Sequence, residues 1–233
     1  MAAKTPLVLL PGLLCDRALW ASQITALADI TAPIVADLTR DHSMGAMADR
    51  VLAMAPERFA LAGLSMGGYV AQEILHRAPH RVTALALLDT SARADSPEQT
   101  ARRRGLIALA TKGEFKGVTP RLLPLLVHEK RLRDDPLIEA IMAMAQRVGS
   151  EAFLRQQEAI IGRRDRRDEL SRIAVPTLIL CGRDDQLTPL ALHEEMAAHI
   201  PKPTLTVIEE CGHLSTMECP EKVNQALRTW LRA

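Results

Sequence analysis

Residues 58–76, RFALAGLSMGGYVAQEILH, constrain the fold of this chain more than any other stretch. The first third is a short apolar run typical of a buried strand, and from Tyr69 onward apolar residues recur at helical spacing. A strand can pass into a helix over so few residues only where glycines let the two backbones approach. Gly63 and Gly67 lie two residues either side of Ser65 and meet that requirement. The stretch therefore predicts a sharp strand-to-helix turn with Ser65 at its tip.

A serine at such a tip is held in a strained conformation that lifts its hydroxyl clear of the sheet edge, where it can act as a nucleophile. The amide of the next residue, Met66, points from the start of the helix and can donate to a developing negative charge. A glycine-rich turn with an N-capping serine would give the same pattern. Whether Ser65 is catalytic therefore depends on what else the chain places at the same edge.

Strand and helix signals alternate along the first 89 residues and resume near residue 176. Such alternation folds into a doubly wound α/β structure, a mostly parallel sheet with helices on both faces. We expect about six strands. The predicted strands are Thr5–Leu10, Ile30–Leu38, Arg58–Gly63, Arg81–Asp89, Pro176–Cys181 and Thr204–Ile208.

The alternation breaks after Asp89, and from about residue 92 to residue 173 the apolar residues recur only at helical intervals between glycines and prolines. This pattern predicts a single domain over 1–233 with a small helical insertion at about 92–170. Within it, the charge-dense run Gly162–Leu170 is expected to be a solvated face with local ion pairs.

The composition excludes several classes of partner. The formal net charge is +1 with 24% charged residues, so no nucleic-acid or membrane-surface partner is indicated, and no apolar segment is long enough to span a bilayer. The four cysteines form no CxxC pair, which favours free thiols in a reducing cytoplasm. Cys211, His213 and Cys219 match no standard zinc spacing, so we predict no metal and no cofactor.

A nucleophilic serine needs a base, and the base needs an orienting acid. Of the seven histidines, only His213 lies just past the carboxyl end of a predicted core strand, the edge where ligands bind in open parallel sheets. Asp185, Asp184 and Asp89 are the candidate acids, because each lies at or just after a strand end. The position of Asp185, three residues past Gly182, favours it, and the other two stay open.

Acyl transfer also requires donors for an oxyanion. The amide of Met66 is one candidate. The second is expected from the sharp turn after the first strand, where Pro11 and Gly12 precede Leu13, and we assign the amide of Leu13 to that role.

Taken together, these motifs resemble the α/β-hydrolase superfamily in its helical-cap branch. The resemblance covers nearly the whole chain: the PG turn, GLSMGG, the helical insertion, GRDDQLTP and CGHLSTMECPEKV. In that family the serine, acid and histidine follow in this order, which implies Ser65, Asp185 and His213 as a catalytic triad.

The chain departs from the family pattern at three points. Pro11 replaces the usual histidine of the first turn, and the N-terminal antiparallel hairpin is missing, so six strands are expected instead of eight. Tyr69 stands where the similar menaquinone-pathway synthases carry an arginine, which disfavours that activity. Serine at position 65 also argues against haloalkane dehalogenases and epoxide hydrolases, which use an aspartate there.

The resemblance implies a serine hydrolase that cleaves small to medium, mainly apolar carboxylic esters through an acyl-enzyme. An enol-lactonase, a thioesterase or a carbon–carbon bond hydrolase would use the same residues. Another alternative is an esterase for carrier-protein-bound acyl chains, with Arg102, Arg103 and Arg104 meeting an acidic partner. From a different class, the chain could be a non-catalytic ligand-binding scaffold.

Overall fold

A computed structural model describes residues 4–232 of the chain, and within them six strands form one all-parallel sheet in the order β2-β1-β3-β4-β5-β6. The predicted doubly wound fold is confirmed. The strands are β1 Thr5–Leu10, β2 Thr31–Val35, β3 Phe59–Leu64, β4 Val82–Leu88, β5 Thr177–Gly182 and β6 Thr204–Ile208. Strand β2 is shorter than predicted because it lies at the edge and pairs only with β1, as far as Val35 opposite Leu9.

The helices are α1 Ala21–Ala26, α2 Met44–Met54, α3 Met66–Arg77, α4 Pro97–Thr111, α5 Asp135–Ile161, α6 Leu190–His199, α7 Ser215–Glu218 and α8 Pro220–Trp230. Helix α5 is interrupted at Gly149, which has φ 77° and ψ 176°. Short 3-10 turns at Arg17–Trp20, Pro79–Arg81, Leu123–Leu125, Glu129–Arg131 and Arg167–Arg172 complete the connections.

The sheet is buried on both faces, as a parallel sheet flanked by helices must be. Alternate residues of β1 show this directly: Leu7 and Leu9 belong to one apolar cluster, while Val8 and Leu10 belong to the cluster on the other face. All four side chains are fully buried. The continuous apolar run in the sequence therefore reflects two cores, one on each side of the strand.

The turn between β3 and α3 is as tight as its glycines predict. A Cβ atom on Gly63 would lie 2.3 Å from the carbonyl oxygen of Gly67, and one on Gly67 would lie 2.1 Å from the carbonyl oxygen of Leu10. Ser65, between them, has φ 55° and ψ −117°, a conformation that L-residues rarely adopt. The sequence thus places one strained serine at the carboxyl edge of the sheet.

We expect Gly67→Ala to destabilise the protein by about 3 kcal/mol, because the added methyl group collides with backbone that cannot move aside. Gly105→Ala is the matched control. Gly105 lies inside α4, and a Cβ there would meet nothing within 4 Å, so the change should stabilise by about 0.5–1 kcal/mol through helix propensity. Urea unfolding of both variants measures the difference, and equal midpoints would contradict the packing argument.

The chain between β4 and β5 contains α4, α5 and three of the 3-10 turns, and no strand is found there among the described residues. Its apolar side chains Leu123, Val127 and Ile141 belong to the same cluster as Leu14 and Leu214. These last two lie in the loops after β1 and β6. The helical segment therefore packs over the carboxyl edge of the sheet.

The prediction of a solvated face at Gly162–Leu170 is wrong for two of its arginines. Arg163 and Arg166 are only 9% and 6% exposed. Arg163 donates to Asp95 at 2.6 Å and lies over the ring of Tyr69, 4.3 Å from its centroid. Arg166 bonds to Glu73 of α3. The predicted local ion pairs are present, since Arg166 also bonds to Glu169 within the run at 2.7 Å. Local charge density could not reveal the burial, because Asp95 and Glu73 come from distant parts of the chain.

Candidate active site

Three of the residues predicted from sequence meet at the carboxyl edge of the sheet. His213, in the loop after β6, lies with its Nε2 2.9 Å from the Oγ of Ser65 and its Nδ1 2.8 Å from Oδ2 of Asp185, which follows β5. His213 and Asp185 are buried, with 4% and 2% exposure. The arrangement is a hydrogen-bonded chain from hydroxyl to imidazole to carboxylate, in which the imidazole can take the serine proton.

The carboxylate of Asp185 is fixed by its own loop. Oδ1 accepts hydrogen bonds from the amides of Leu187 and Thr188 at 2.8 and 2.9 Å, and the Thr188 hydroxyl donates to Oδ2 at 2.6 Å. Burial raises the pKa of Asp185, but the neighbouring His213 and the Thr188 hydrogen bonds outweigh it and leave the pKa below its ordinary value. The group is therefore an ionised carboxylate that orients the imidazole.

The two alternative acids take other positions. Asp184 is half-exposed, and its Oδ2 lies 3.7 Å from Nε2 of His128. Asp89 is fully buried, accepts a hydrogen bond from the amide of Gly182 at 2.9 Å and receives a second from the hydroxyl of Ser215. Burial, with the nearby charge of Asp185, raises the pKa of Asp89 well above its ordinary value. Asp89 thus links the end of β5 to the start of α7 and lies apart from the hydrogen-bonded chain.

The protonation of His213 is set by opposing influences. Burial lowers its pKa, while the negative charges of Asp185, Asp89 and Glu218 raise it, and the net effect is a pKa above the ordinary 6.5. Only the neutral imidazole can accept the proton of Ser65.

We therefore expect kcat/KM to fall as the pH drops through the raised pKa of His213, with the midpoint of the acidic limb above 6.5. Removing the charge of Asp185 by Asp185→Asn should move that midpoint to lower pH, because the imidazolium loses its principal stabilising partner. The measurement is the pH profile of residual ester hydrolysis in both proteins. A midpoint that does not move would show that another group controls the profile.

The loop after β1 lies against the serine. A Cβ atom on Gly12 would be 3.4 Å from the Cβ of Ser65. The amide of Leu13 has no acceptor among the described residues, and Met66, as the first residue of α3, has no intrahelical acceptor for its amide. Both predicted donors are thus without an acceptor among the described residues, and the loop that carries Leu13 packs against Ser65.

Sequence reasoning missed the residue that fastens this loop. Leu14 has a positive φ of 59°, and its amide donates to Oε1 of Gln156 at 3.1 Å. The other end of Gln156 donates to the carbonyl of Leu38 at 3.1 Å, and its side chain is fully buried. Helix α5 therefore holds the strained loop in place. A glutamine in a helical segment gives no sequence signal for such a role.

Sequence reasoning also missed Thr90 and His193, two residues that support the serine turn. Thr90 donates through its hydroxyl to the carbonyl of Ser65 at 2.8 Å, and its amide donates to Nε2 of His193 at 3.0 Å. Burial lowers the pKa of His193 to about 4, so the ring stays neutral and can accept that bond. His193 is thus a structural histidine on α6.

The carboxyl edge is also tied to the helical segment through Glu218. Its carboxylate accepts hydrogen bonds from the amides of Gly212 and His128. Gly212 packs so closely that a Cβ there would lie 2.8 Å from the backbone of Val127 and His128. The loop that carries His213 is therefore held by residues of the helical segment.

Comparisons with known proteins agree with this architecture. A family model described as "Alpha/beta hydrolase family" matches residues 7–226. The structure of a thermophilic esterase from Thermogutta terrifontis superposes with a TM-score of 0.88 at 33% identity, covering 99% of this chain and 90% of that one.

Two curated relatives are more distant. A pimeloyl-[acyl-carrier protein] methyl ester esterase of Nitrosomonas europaea is 29% identical over 78% of this chain and 73% of its own length. The 3-oxoadipate enol-lactonase 2 of Acinetobacter baylyi is 26% identical over 73% of this chain, and the match spans 62% of that relative, less than two thirds of it. Within residues 4–232, none of the helices combines the length and apolar character needed to cross a membrane.

Proposed function

Because this chain belongs to the alpha/beta hydrolase family, we propose that it is an ester-hydrolysing enzyme, a serine hydrolase that cleaves carboxylic esters through an acyl-enzyme. The observation that carries the proposal is the hydrogen-bonded chain from Ser65 through His213 to Asp185. The strained φ of Ser65 adds to it, since strain of this kind is found where a nucleophile is presented.

In the proposed reaction, Oγ of Ser65 attacks the ester carbonyl while Nε2 of His213 takes its proton. The amides of Leu13 and Met66 donate to the oxyanion. His213 then protonates the leaving alcohol, and a water molecule, deprotonated by the same nitrogen, releases the acid. Asp185 keeps the Nδ1 proton in place throughout, so that Nε2 always faces the serine.

The helical segment at about 92–170 acts in this proposal as a cap on a single domain. Support comes from Leu123 and Val127, which share an apolar cluster with Leu14 and Leu214 at the carboxyl edge. The apolar character of these side chains favours a small to medium substrate with a mainly apolar acyl or alcohol group. Lactones and thioesters present the same carbonyl to the same residues and form the nearest alternatives.

A carrier-protein-bound ester is a second candidate, favoured by the similarity to the pimeloyl-[acyl-carrier protein] methyl ester esterase of Nitrosomonas europaea. The three arginines proposed to meet an acidic carrier do not behave alike. Arg102 and Arg104 are exposed on α4, whereas Arg103 bonds to Asp95 at 2.7 Å and to Gln157 at 2.8 Å. Only two of them are thus free to contact a partner in solution.

The experiment is a substrate panel: p-nitrophenyl esters of increasing acyl length, lactones, thioesters and one carrier-linked methyl ester. We expect kcat/KM to be highest for apolar esters and to depend on Ser65. A preference for the carrier-linked ester that disappears at high salt would favour the second candidate. Failure of every substrate would contradict the hydrolase and favour a ligand-binding scaffold.

A further inference from the structure

Two cysteines meet beside His213 without belonging to the hydrogen-bonded chain. Cys211 follows β6 and is fully buried, while Cys219 precedes α8 and is half-buried. Their sulfur atoms and a carboxylate oxygen of Glu218 all lie within 4.8 Å of one another. Both oxygens of Glu218 already accept amide hydrogen bonds, so the sulfur pair is the feature of this cluster left for chemistry.

We propose that Cys219 is a peroxide-reactive thiol with Cys211 as its resolving partner, and that a disulfide between them switches off the hydrolase. Redox-active cysteines are partly accessible, favour the thiolate and lie next to a second thiol. Cys219 meets each of these conditions.

The surroundings of Cys219 favour its thiolate. A hydrogen bond from Cys211 lowers the pKa of Cys219, burial and the charge of Glu218 oppose it, and the positive charges of Lys222 and Arg131 lower it further, leaving the pKa below the ordinary value. Its position at the N-terminus of the eleven-residue helix α8 acts in the same direction.

The other cysteines differ. Burial raises the pKa of Cys15 to about 12, and it also raises the pKa of Cys181. The pKa of Cys211 is raised as well, by its hydrogen bond to Cys219 and by burial. All three are buried thiols with no thiolate to attack a peroxide at neutral pH. Reactivity is therefore expected to be selective for Cys219.

The chemistry needs only a hydroperoxide. The thiolate of Cys219 attacks one oxygen of hydrogen peroxide, which breaks the O–O bond, oxidises the sulfur to a sulfenic acid and releases hydroxide. The Cys211 sulfur then attacks the sulfenic sulfur, loses its proton and displaces hydroxide, which leaves as water. In total, two thiols and one peroxide give one disulfide and two waters.

The disulfide would act on His213 because the bonded segment contains it. The two sulfurs must close to about 2 Å, and Cys211 lies two residues before His213, next to Gly212, which packs against the backbone of Val127. A shift of this loop breaks the 2.9 Å contact between His213 and Ser65. Misplacement of a catalytic group by about 1 Å lowers turnover by about 100-fold.

The test treats the protein with hydrogen peroxide and follows ester hydrolysis and peptide mass together. We expect at least about a 10-fold loss of activity that dithiothreitol restores, together with a Cys211–Cys219 linkage lighter by two hydrogens. Cys219→Ser should have normal activity before treatment and keep it afterwards, while the control Cys15→Ser should lose activity as the wild type does. In Cys211→Ala, a sulfenic acid should accumulate on Cys219 and react with dimedone.

Peroxide sensitivity of Cys219→Ser equal to that of the wild type would overturn the proposal. Oxidised protein that lacks the Cys211–Cys219 linkage would also overturn it. A fully formed linkage that leaves turnover unchanged would do the same. The mass measurement does not depend on turnover, so a failure of the thiol chemistry is distinguishable from a failure of the serine mechanism.

Discussion

Ser65→Ala should lower kcat/KM for ester hydrolysis by roughly 10⁴-fold or more, the loss expected when a serine nucleophile is removed and only the oxyanion donors and binding remain. The hydroxyl is the atom that Nε2 of His213 contacts at 2.9 Å. The substitution does not change the contacts that hold the backbone of the turn at its φ of 55°. We therefore expect a folded protein, with the free energy of unfolding changed by less than about 1 kcal/mol.

Ser43→Ala is the contrasting control. The Ser43 hydroxyl accepts from the amide of Ala46 and caps α2, and it takes no part in the hydrogen bonds that join Ser65, His213 and Asp185. Its loss should lower the free energy of unfolding by about 1 kcal/mol and leave kcat/KM unchanged. Ser65→Ala should thus affect turnover and leave stability nearly unchanged, while Ser43→Ala should lower stability and leave turnover unchanged. A Ser65→Ala protein that keeps more than about a tenth of the activity would exclude Ser65 as the nucleophile.

Asp185→Asn should lower kcat by about 10³- to 10⁴-fold, because an amide can present its N–H to the imidazole and hold the wrong tautomer toward Ser65. The asparagine oxygen can still accept the amide hydrogen bonds of Leu187 and Thr188 that Asp185 receives. The loop should therefore keep its shape, and the loss should appear in kcat more than in KM.

Asp184→Asn provides the neighbouring control. This side chain is half-exposed and lies 3.7 Å from His128, so its neutralisation should change kcat by less than about twofold. Steady-state kinetics of both variants on one ester decide between the two acids. Near-normal turnover in Asp185→Asn, with a large loss in Asp184→Asn, would reverse the assignment.

The sequence contained most of the information about the fold and the central residues, for a geometric reason. Parallel strands end at one edge, so residues placed just after separate strands, such as Ser65, Asp185 and His213, are brought together by topology alone. The glycines around Ser65 made the tight turn predictable, because a Cβ atom at Gly67 would lie 2.1 Å from the carbonyl oxygen of Leu10.

What the sequence could not provide depends on side-chain contacts between distant segments. Gln156 holds Leu14 across 142 positions, and Arg163 reaches Asp95 across 68. No local pattern of charge or hydropathy encodes such pairs, and the same local pattern led to Arg163 being predicted as solvated. The choice among the acids likewise depended on the hydrogen bonds from Thr188 that fix the carboxylate of Asp185 toward the imidazole.

The most direct test is to label the protein with a fluorophosphonate, which reacts only with an activated serine, and to map the adduct. Tryptic cleavage after Arg58 and Arg77 releases a peptide in which Ser65 is the only serine. We expect a single adduct on that peptide, formed at least about 10³-fold more slowly in His213→Ala because the base is gone. An unlabelled Ser65 peptide, or labelling that is equally fast without His213, would contradict the activated serine.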